Sequence, residues 1–230
     1  MSLGGDVLLE LPIPAADPDY PHGPFGAYCP CGAAVAEERF GGNGDVWVAD
    51  GYGSSLVHRF DRRGQHISVL SGEEGAGRFS CPYAAYIDRR HGKEAELYLA
   101  DRGNKQVQVY NMDGRFLRAF GSDFLNSPSG FAQWGELLVV AELYGRLAAL
   151  DNEDNLVGYI GVDPECDAEQ GWPQRPGWPN EIVGDGRARR PTLAYPNRLN
   201  SPHSLAVDAD GNLYVSEWLI GGRYSKVAWR

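Results

Sequence analysis

A chain of 230 residues, 43% hydrophobic and 23% charged, can bury a sizeable core, and it contains no stretch of 18 apolar residues that would make a membrane-spanning helix. Its formal net charge of −10 argues against nucleic acid or an anionic membrane surface as partner, because both select basic patches. Four cysteines (Cys29, Cys31, Cys81 and Cys166) with no CxxC pair are too few for a disulfide scaffold, so buried free thiols are expected, with a bridge between Cys29 and Cys81, at equivalent places in adjacent repeats, as the alternative.

The start, MSLGG, has neither the charged nor the apolar part of a signal peptide. It reads as a leader on a soluble chain, with the natural start expected further upstream. The next run, Asp6-Val7-Leu8-Leu9-Glu10-Leu11, reads as a spare β-strand. From Cys29 onward the sequence repeats itself in four units, over about residues 29–71, 80–121, 127–161 and 200–230. Each opens on a proline: Pro30, Pro82, Pro128, Pro202. A short apolar run follows, then a turn, then a β-rich run ending in an acid: Asp50, Asp101, Glu142, Glu217. A third run follows a polar turn. In three units a fourth run follows an Asp- or Asn-led turn such as DRRG or NMDG.

Short runs rich in Val, Ile, Tyr and Phe, punctuated by Gly and Asp, are strands joined by hairpins. Four antiparallel strands in a unit of roughly 40–50 residues make a propeller blade, which buries its faces against its neighbours. The predicted architecture is therefore all-β: one propeller domain over residues 1–230. The fourth unit lacks its outermost strand, and residues 6–11 are expected to supply it, closing the ring and removing an exposed edge.

The innermost strand of a blade lines the channel. The residues that follow the four prolines, Cys31, Tyr83, Ser129 and His203, are thus expected to meet at the channel mouth. A His and a Cys beside a Tyr suit a borderline cation such as zinc; filling the channel and bonding water is the plainer role. Four recurring carboxylates would suit calcium, and accepting backbone N–H groups in turns is again the plainer role. His22, His58, His66 and His91 show no partner pattern and read as surface residues. Residues 162–199 break the repeat. They carry two GWP motifs and the basic group Arg187, Arg189 and Arg190. A loop of this length is read either as a lid over a channel mouth anchored by Trp172 and Trp178, or as packing outside blades three and four.

The motifs VADGYGSSLVHRF, LADRGNKQVQVY and SPHSLAVDADGNLYVSE resemble NHL repeats, most of all those of bacterial propellers related to the peptidyl-α-hydroxyglycine α-amidating lyase domain. The resemblance covers about residues 28–121 and 199–226. That family is usually six-bladed. Four visible units imply either a four-bladed ring or a fragment of a larger propeller. The resemblance implies zinc-binding histidines after the opening prolines. His203 matches one of them, Tyr83 stands where another belongs, and a third has no counterpart. It also implies a catalytic role for Tyr52 and a substrate-binding role for Arg102. A tyrosine can act as a base only where a nearby cation or metal lowers its pKa. Rim packing for Tyr52 and an ion pair between blades for Arg102 are the alternatives. Two readings follow. The first is a module that binds a small molecule, a peptide or a protein through its channel mouth and loops. The second is a metal-dependent lyase resembling the amidating enzyme.

Overall fold

The runs that alternate apolar and polar residues between Gly-Asp turns are the runs that pair. A computed structural model describes residues 4–90, 94–162, 176–192 and 197–228. The first sheet is built from β1 (Gly32–Val35), β2 (Val46–Asp50), β3 (Leu56–Phe60) and β4 (His66–Leu70), in that order. The second is β5 (Pro82–Asp88), β6 (Glu96–Asp101), β7 (Gln106–Asn111) and β8 (Phe116–Phe120). The third is β9 (Pro128–Trp134), β10 (Leu137–Glu142), β11 (Arg146–Leu150) and β12 (Leu156–Ile160). A two-stranded hairpin follows, β13 (Glu181–Ile182) with β14 (Ala188–Arg189). The last sheet holds three strands: β15 (Pro202–Val207), β16 (Leu213–Glu217) and β17 (Arg223–Val227). All pairings are antiparallel between consecutive strands, which is the topology of propeller blades.

The chain divides into two compact units, Met1–Gly121 and Ser122–Arg230, each with two blade sheets. In the first unit the sheets close on a core of Trp47, Ala49, Val57, Phe79, Leu97, Leu99 and Tyr110. In the second, Trp134, Val139, Leu147, Leu199, Leu213 and Val215 play that part. The middle strands are buried on both faces, whereas β8 and β12 alternate partly buried with exposed positions, as outer strands with one solvated face do.

One turn recurs in all four blade sheets. Asp61, Asn111, Asp151 and Asp208 each accept two backbone N–H groups with one side-chain oxygen, from the residues two and four positions on. The fourth residue of each turn takes a positive φ. It is Gly64, Gly114 and Gly211 in three turns, and Asp154 at φ 63° in the other. An Asx side chain mimicking a backbone turn, followed by a residue that tolerates the left-handed region, is sufficient local instruction for the hairpin.

The spare strand at the N-terminus does not form. Residues 5–16 carry no strand, Val7 and Leu8 are 67% and 70% exposed, and the last sheet keeps its three strands. Leu9 and Leu11 instead lie by Gly64, in the β3–β4 turn of the first sheet. That glycine has no Cβ, so the two leucines find an apolar resting place without a strand partner.

Candidate functional site

The recurring acids come first, because they set the geometry of everything near them. Asp50, Asp101, Glu142 and Glu217 are all buried. Each reaches back from the end of its second strand to the segment that opens the first. Asp50 accepts the Cys29 N–H, Asp101 that of Ser80 at 2.8 Å, Glu142 those of Asn126 and Ser127, and Glu217 those of Asn200 and Ser201. Their remaining lone pairs are also engaged. Asp101 takes the side-chain amides of Asn104, Gln106 and Gln108, while Glu142 and Glu217 pair with Arg146 and Arg223. The acids are turn clamps, and their oxygens are committed to donors that a calcium ion would have to displace.

The clamp fixes the proline and the residue after it. In the second, third and fourth blade sheets the register slips by one residue there, so that Tyr83, Ser129 and His203 each stand as the extra residue of a bulge. Cys31 holds the corresponding place in the first, its N–H bonded to the Ala49 carbonyl. The shared register expected from the sequence thus has a physical form. Within the first unit Cys31 and Tyr83 occupy neighbouring first strands, since a Cβ on Gly32 would press on the Tyr83 carbonyl at 2.8 Å. Within the second, a Cβ on Gly130 would stand 3.0 Å from the His203 carbonyl oxygen in the same way.

Beside Tyr83 the first unit gathers a cluster. Arg102, one residue past the Asp101 clamp, donates from Nη2 to the Tyr52 hydroxyl at 2.9 Å and to the Cys81 sulfur at 3.3 Å. Its guanidinium lies 3.8 Å from the Tyr83 ring centroid and 5.3 Å from that of Tyr52, a double cation–π seat. The two tyrosine rings meet edge to face at 5.7 Å, and Phe25 meets Tyr52 the same way at 5.4 Å. Phe25 comes from a segment that the sequence did not mark. It is held by its own N–H to the Tyr52 carbonyl and by the Ser54 hydroxyl to the Ala27 carbonyl. Gly23 passes so close to the Tyr52 and Gly53 carbonyls that no side chain would fit there. Cys81 was legible only as a residue at the start of a strand. It sits at φ 56°, a backbone region that few non-glycine residues adopt.

The electrostatics of the cluster are one-sided. Among the described residues Arg102 pairs with no carboxylate, and its polar contacts are a phenol and a thiol. Burial, and after it the neighbouring Cys81, push the Cys31 thiol up to about 11. Burial likewise raises Cys81 and, with Tyr52 as the next cause, Tyr83. At neutral pH these three are therefore uncharged, and the guanidinium is the cation among them, with the Asp101 carboxylate acting on Cys81 from the neighbouring clamp. That does not fit a zinc ion, which wants deprotonated sulfur and neutral nitrogen ligands and would here meet a fixed cation. Among the described residues no three His, Cys, Asp or Glu side chains gather as a metal site, His203 included.

In the second unit Trp178 packs edge to face on Tyr144 at 5.1 Å and on Trp218 at 6.5 Å. Tyr144 follows the Glu142 clamp by two residues, as Tyr52 follows Asp50, and Trp218 follows Glu217 by one, as Arg102 follows Asp101. The Asn180 side chain also accepts the Ile220 N–H at 2.8 Å. The insertion is therefore docked on the same class of turn that carries the cluster in the first unit. Trp172 lies outside the described residues.

One histidine departs from the surface reading. His58 is 5% exposed in β3, against Tyr28 and Phe60, with Nδ1 at 3.2 Å from Nε2 of the exposed His66. The strand turns that residue inward because the middle strands of a blade are covered on both faces. His22 is exposed as expected, and His91 lies outside the described residues.

A human protein, NHL repeat-containing protein 3, is 34% identical over 108 residues, covering 44% of this chain and 30% of its own length. The repeats are homologous to those of NHL repeat-containing proteins, on a β-propeller fold. The chain also matches a Caenorhabditis elegans protein named a probable peptidyl-alpha-hydroxyglycine alpha-amidating lyase, 23% identical over 192 residues, or 82% of this chain and 46% of that protein. The chain spans less than half the length of each of these relatives. No family model matches it. Among solved structures the WD40 repeats of RRP9 superpose with a TM-score of 0.55 at 12% identity, over 87% of this chain and 50% of that one. Virginiamycin B lyase from Staphylococcus aureus superposes with a TM-score of 0.52 at 10% identity, over 91% of this chain and 59% of that one. At such identities the superpositions speak for the propeller fold alone. No helix among the described residues is long and apolar enough to cross a membrane.

Proposed function

We propose that this NHL propeller is a binding module whose first unit holds a small or peptide ligand through Arg102, with Tyr52 and Tyr83 as its aromatic seat. The observation that carries the reading is a partly buried guanidinium with no carboxylate partner among the described residues, positioned by a phenol at 2.9 Å and a ring at 3.8 Å. Both tyrosines hold its plane but leave its charge uncompensated, so an anionic ligand group completes it. The net charge of −10 directs the module away from nucleic acid. The test is calorimetric titration with short peptides ending in a free glycine carboxylate and with their amidated counterparts. The free acids should bind, the amides should bind on the order of tenfold more weakly, and Arg102→Gln should erase the difference. Equal affinity for acids and amides would overturn the reading.

The lyase reading draws on the worm relative and on the Tyr52–Arg102 hydrogen bond. The chemistry of the donor set speaks against it, since the Arg102 guanidinium beside the Cys81 sulfur would repel a metal cation there. Incubation with a peptidyl-α-hydroxyglycine, with and without added zinc, should give no turnover. Zinc-dependent turnover lost in Tyr52→Phe would establish the enzyme instead.

A further inference from the structure

The strand ends opposite the Tyr52 turn carry a cavity in the first unit. It has a volume of about 370 Å³ and lies among the β1–β2 loop, the β7–β8 turn, and Arg89, Glu94 and Ala95 between β5 and β6. That is within the size range of small-ligand sites. Ala36, Phe40, Ala95 and Met112 give it apolar walls, and Arg89 reaches it from the end of β5.

Arg89 is the anomaly. Its neighbour Arg90 is paired with Asp88 at 2.9 Å, with both side chains almost fully buried. Arg89 makes no side-chain hydrogen bond and no ion pair among the described residues; its one contact of this kind is the Phe40 ring, 5.3 Å from the guanidinium carbon. Its Nε is buried and has no acceptor. A buried guanidinium N–H without a partner is costly unless something else supplies the oxygen. Two further donors line the same space. Asn43 and Asn111 spend their Oδ1 atoms on the backbone N–H groups of Asp45, and of Asp113 and Arg115, which leaves their Nδ2 groups to face other partners. The loop is preformed rather than adaptable. Gly42 abuts the Ala36 carbonyl too closely for any side chain, and its N–H and that of Gly44 are bonded to Glu37 and Ala36.

The remaining charges narrow the ligand. Glu94 and Asp113, both exposed, add two negative charges to the wall. They oppose a dianion such as phosphate by simple Coulomb repulsion, while one negative charge set against Arg89 and away from them is tolerated. We infer that this cavity binds a small monocarboxylate with an apolar body, its carboxylate on the Arg89 guanidinium and its body against Phe40 and Met112. The site stands apart from the Arg102 cluster and does not depend on the reading given above.

The test uses benzoate and phenylacetate as probes, with methyl benzoate and inorganic phosphate as controls, followed by two-dimensional amide and arginine Nε–H NMR on the full chain. Saturable shifts should appear at the Arg89 Nε–H and at the amides of residues 41–43, 95 and 111–113 with both carboxylates and with neither control. Arg89→Gln should weaken benzoate on the order of tenfold. Phe40→Ala, at a position 58% exposed and therefore safe for folding, should weaken it several-fold. Equal binding of methyl benzoate, unchanged affinity in Arg89→Gln with a native melting curve, or shifts confined to the Tyr52 turn would each overturn the proposal. If Arg89→Gln fails to fold, Phe40→Ala and the ester control decide alone.

Discussion

The Arg102 guanidinium donates to the Tyr52 hydroxyl at 2.9 Å across 50 residues of sequence, joining the second blade sheet to the first. Each of these residues sits just past a buried acid that clamps its own turn, so the contact is set by two rigid hairpins and not by a flexible loop. Tyr52→Phe keeps the rings at Phe25 and Tyr83 but removes the acceptor. We expect a loss of about 1–2 kcal/mol in urea unfolding and weaker binding of carboxylate peptides. Unchanged affinity would show that Arg102 is positioned by the Tyr83 ring alone.

Asp101 accepts four donors while fully buried. Asp101→Asn would turn an N–H₂ toward groups that can only donate, and should cost about 2–4 kcal/mol. The comparison is Asp61→Asn, in an exposed Asx turn where the amide oxygen can take over the same two bonds. That change should stay within about 0.5 kcal/mol. Similar denaturation midpoints for the two variants would contradict the clamp role.

His58 gives the protein a defined acid sensitivity. Burial first, then His66, pushes its imidazole down to about 4, against about 6.5 in an unfolded chain. Above pH 6.5 the group is neutral in both states and its contribution is fully present. Between 6.5 and 4 the unfolded chain binds the extra proton, so stability falls as the pH falls, by about 3 kcal/mol in total. Urea midpoints for the protein and for His58→Phe, taken at pH 7 and pH 4.5, should diverge at the lower value. Parallel curves would show that His58 does not carry the effect.

Trp178→Ala removes the edge contacts to Tyr144 and Trp218, worth about 0.5–1.5 kcal/mol each. The Ile220 N–H bond to Asn180 should open more often, with amide exchange there faster on the order of tenfold. Exchange in β6 and β7 should be unchanged. Uniform protection at Ile220 would mean that the insertion is held elsewhere.

The strands, the turns and the blade count were legible in the residues because their causes are local. A period-two apolar run between Asp-Gly or Asn-Gly turns specifies a hairpin whatever lies beyond it, and four acids at one position in the repeat announce a shared turn. The same locality explains the failures. Val7 to Leu11 has the pattern of a strand, but a pattern does not choose a partner, and Leu9 and Leu11 settle on the β3–β4 turn instead. His58 looks like any polar residue in a short run until the neighbouring strands cover both of its faces. Arg102 and Tyr52 could be named by resemblance, while Phe25 and Arg89, which has no acceptor among the described residues, could not. Which side chains meet, and which guanidinium is left without an acid, depends on how one sheet packs on the next. That packing joins residues 21 to 50 positions apart through contacts that no stretch of sequence contains.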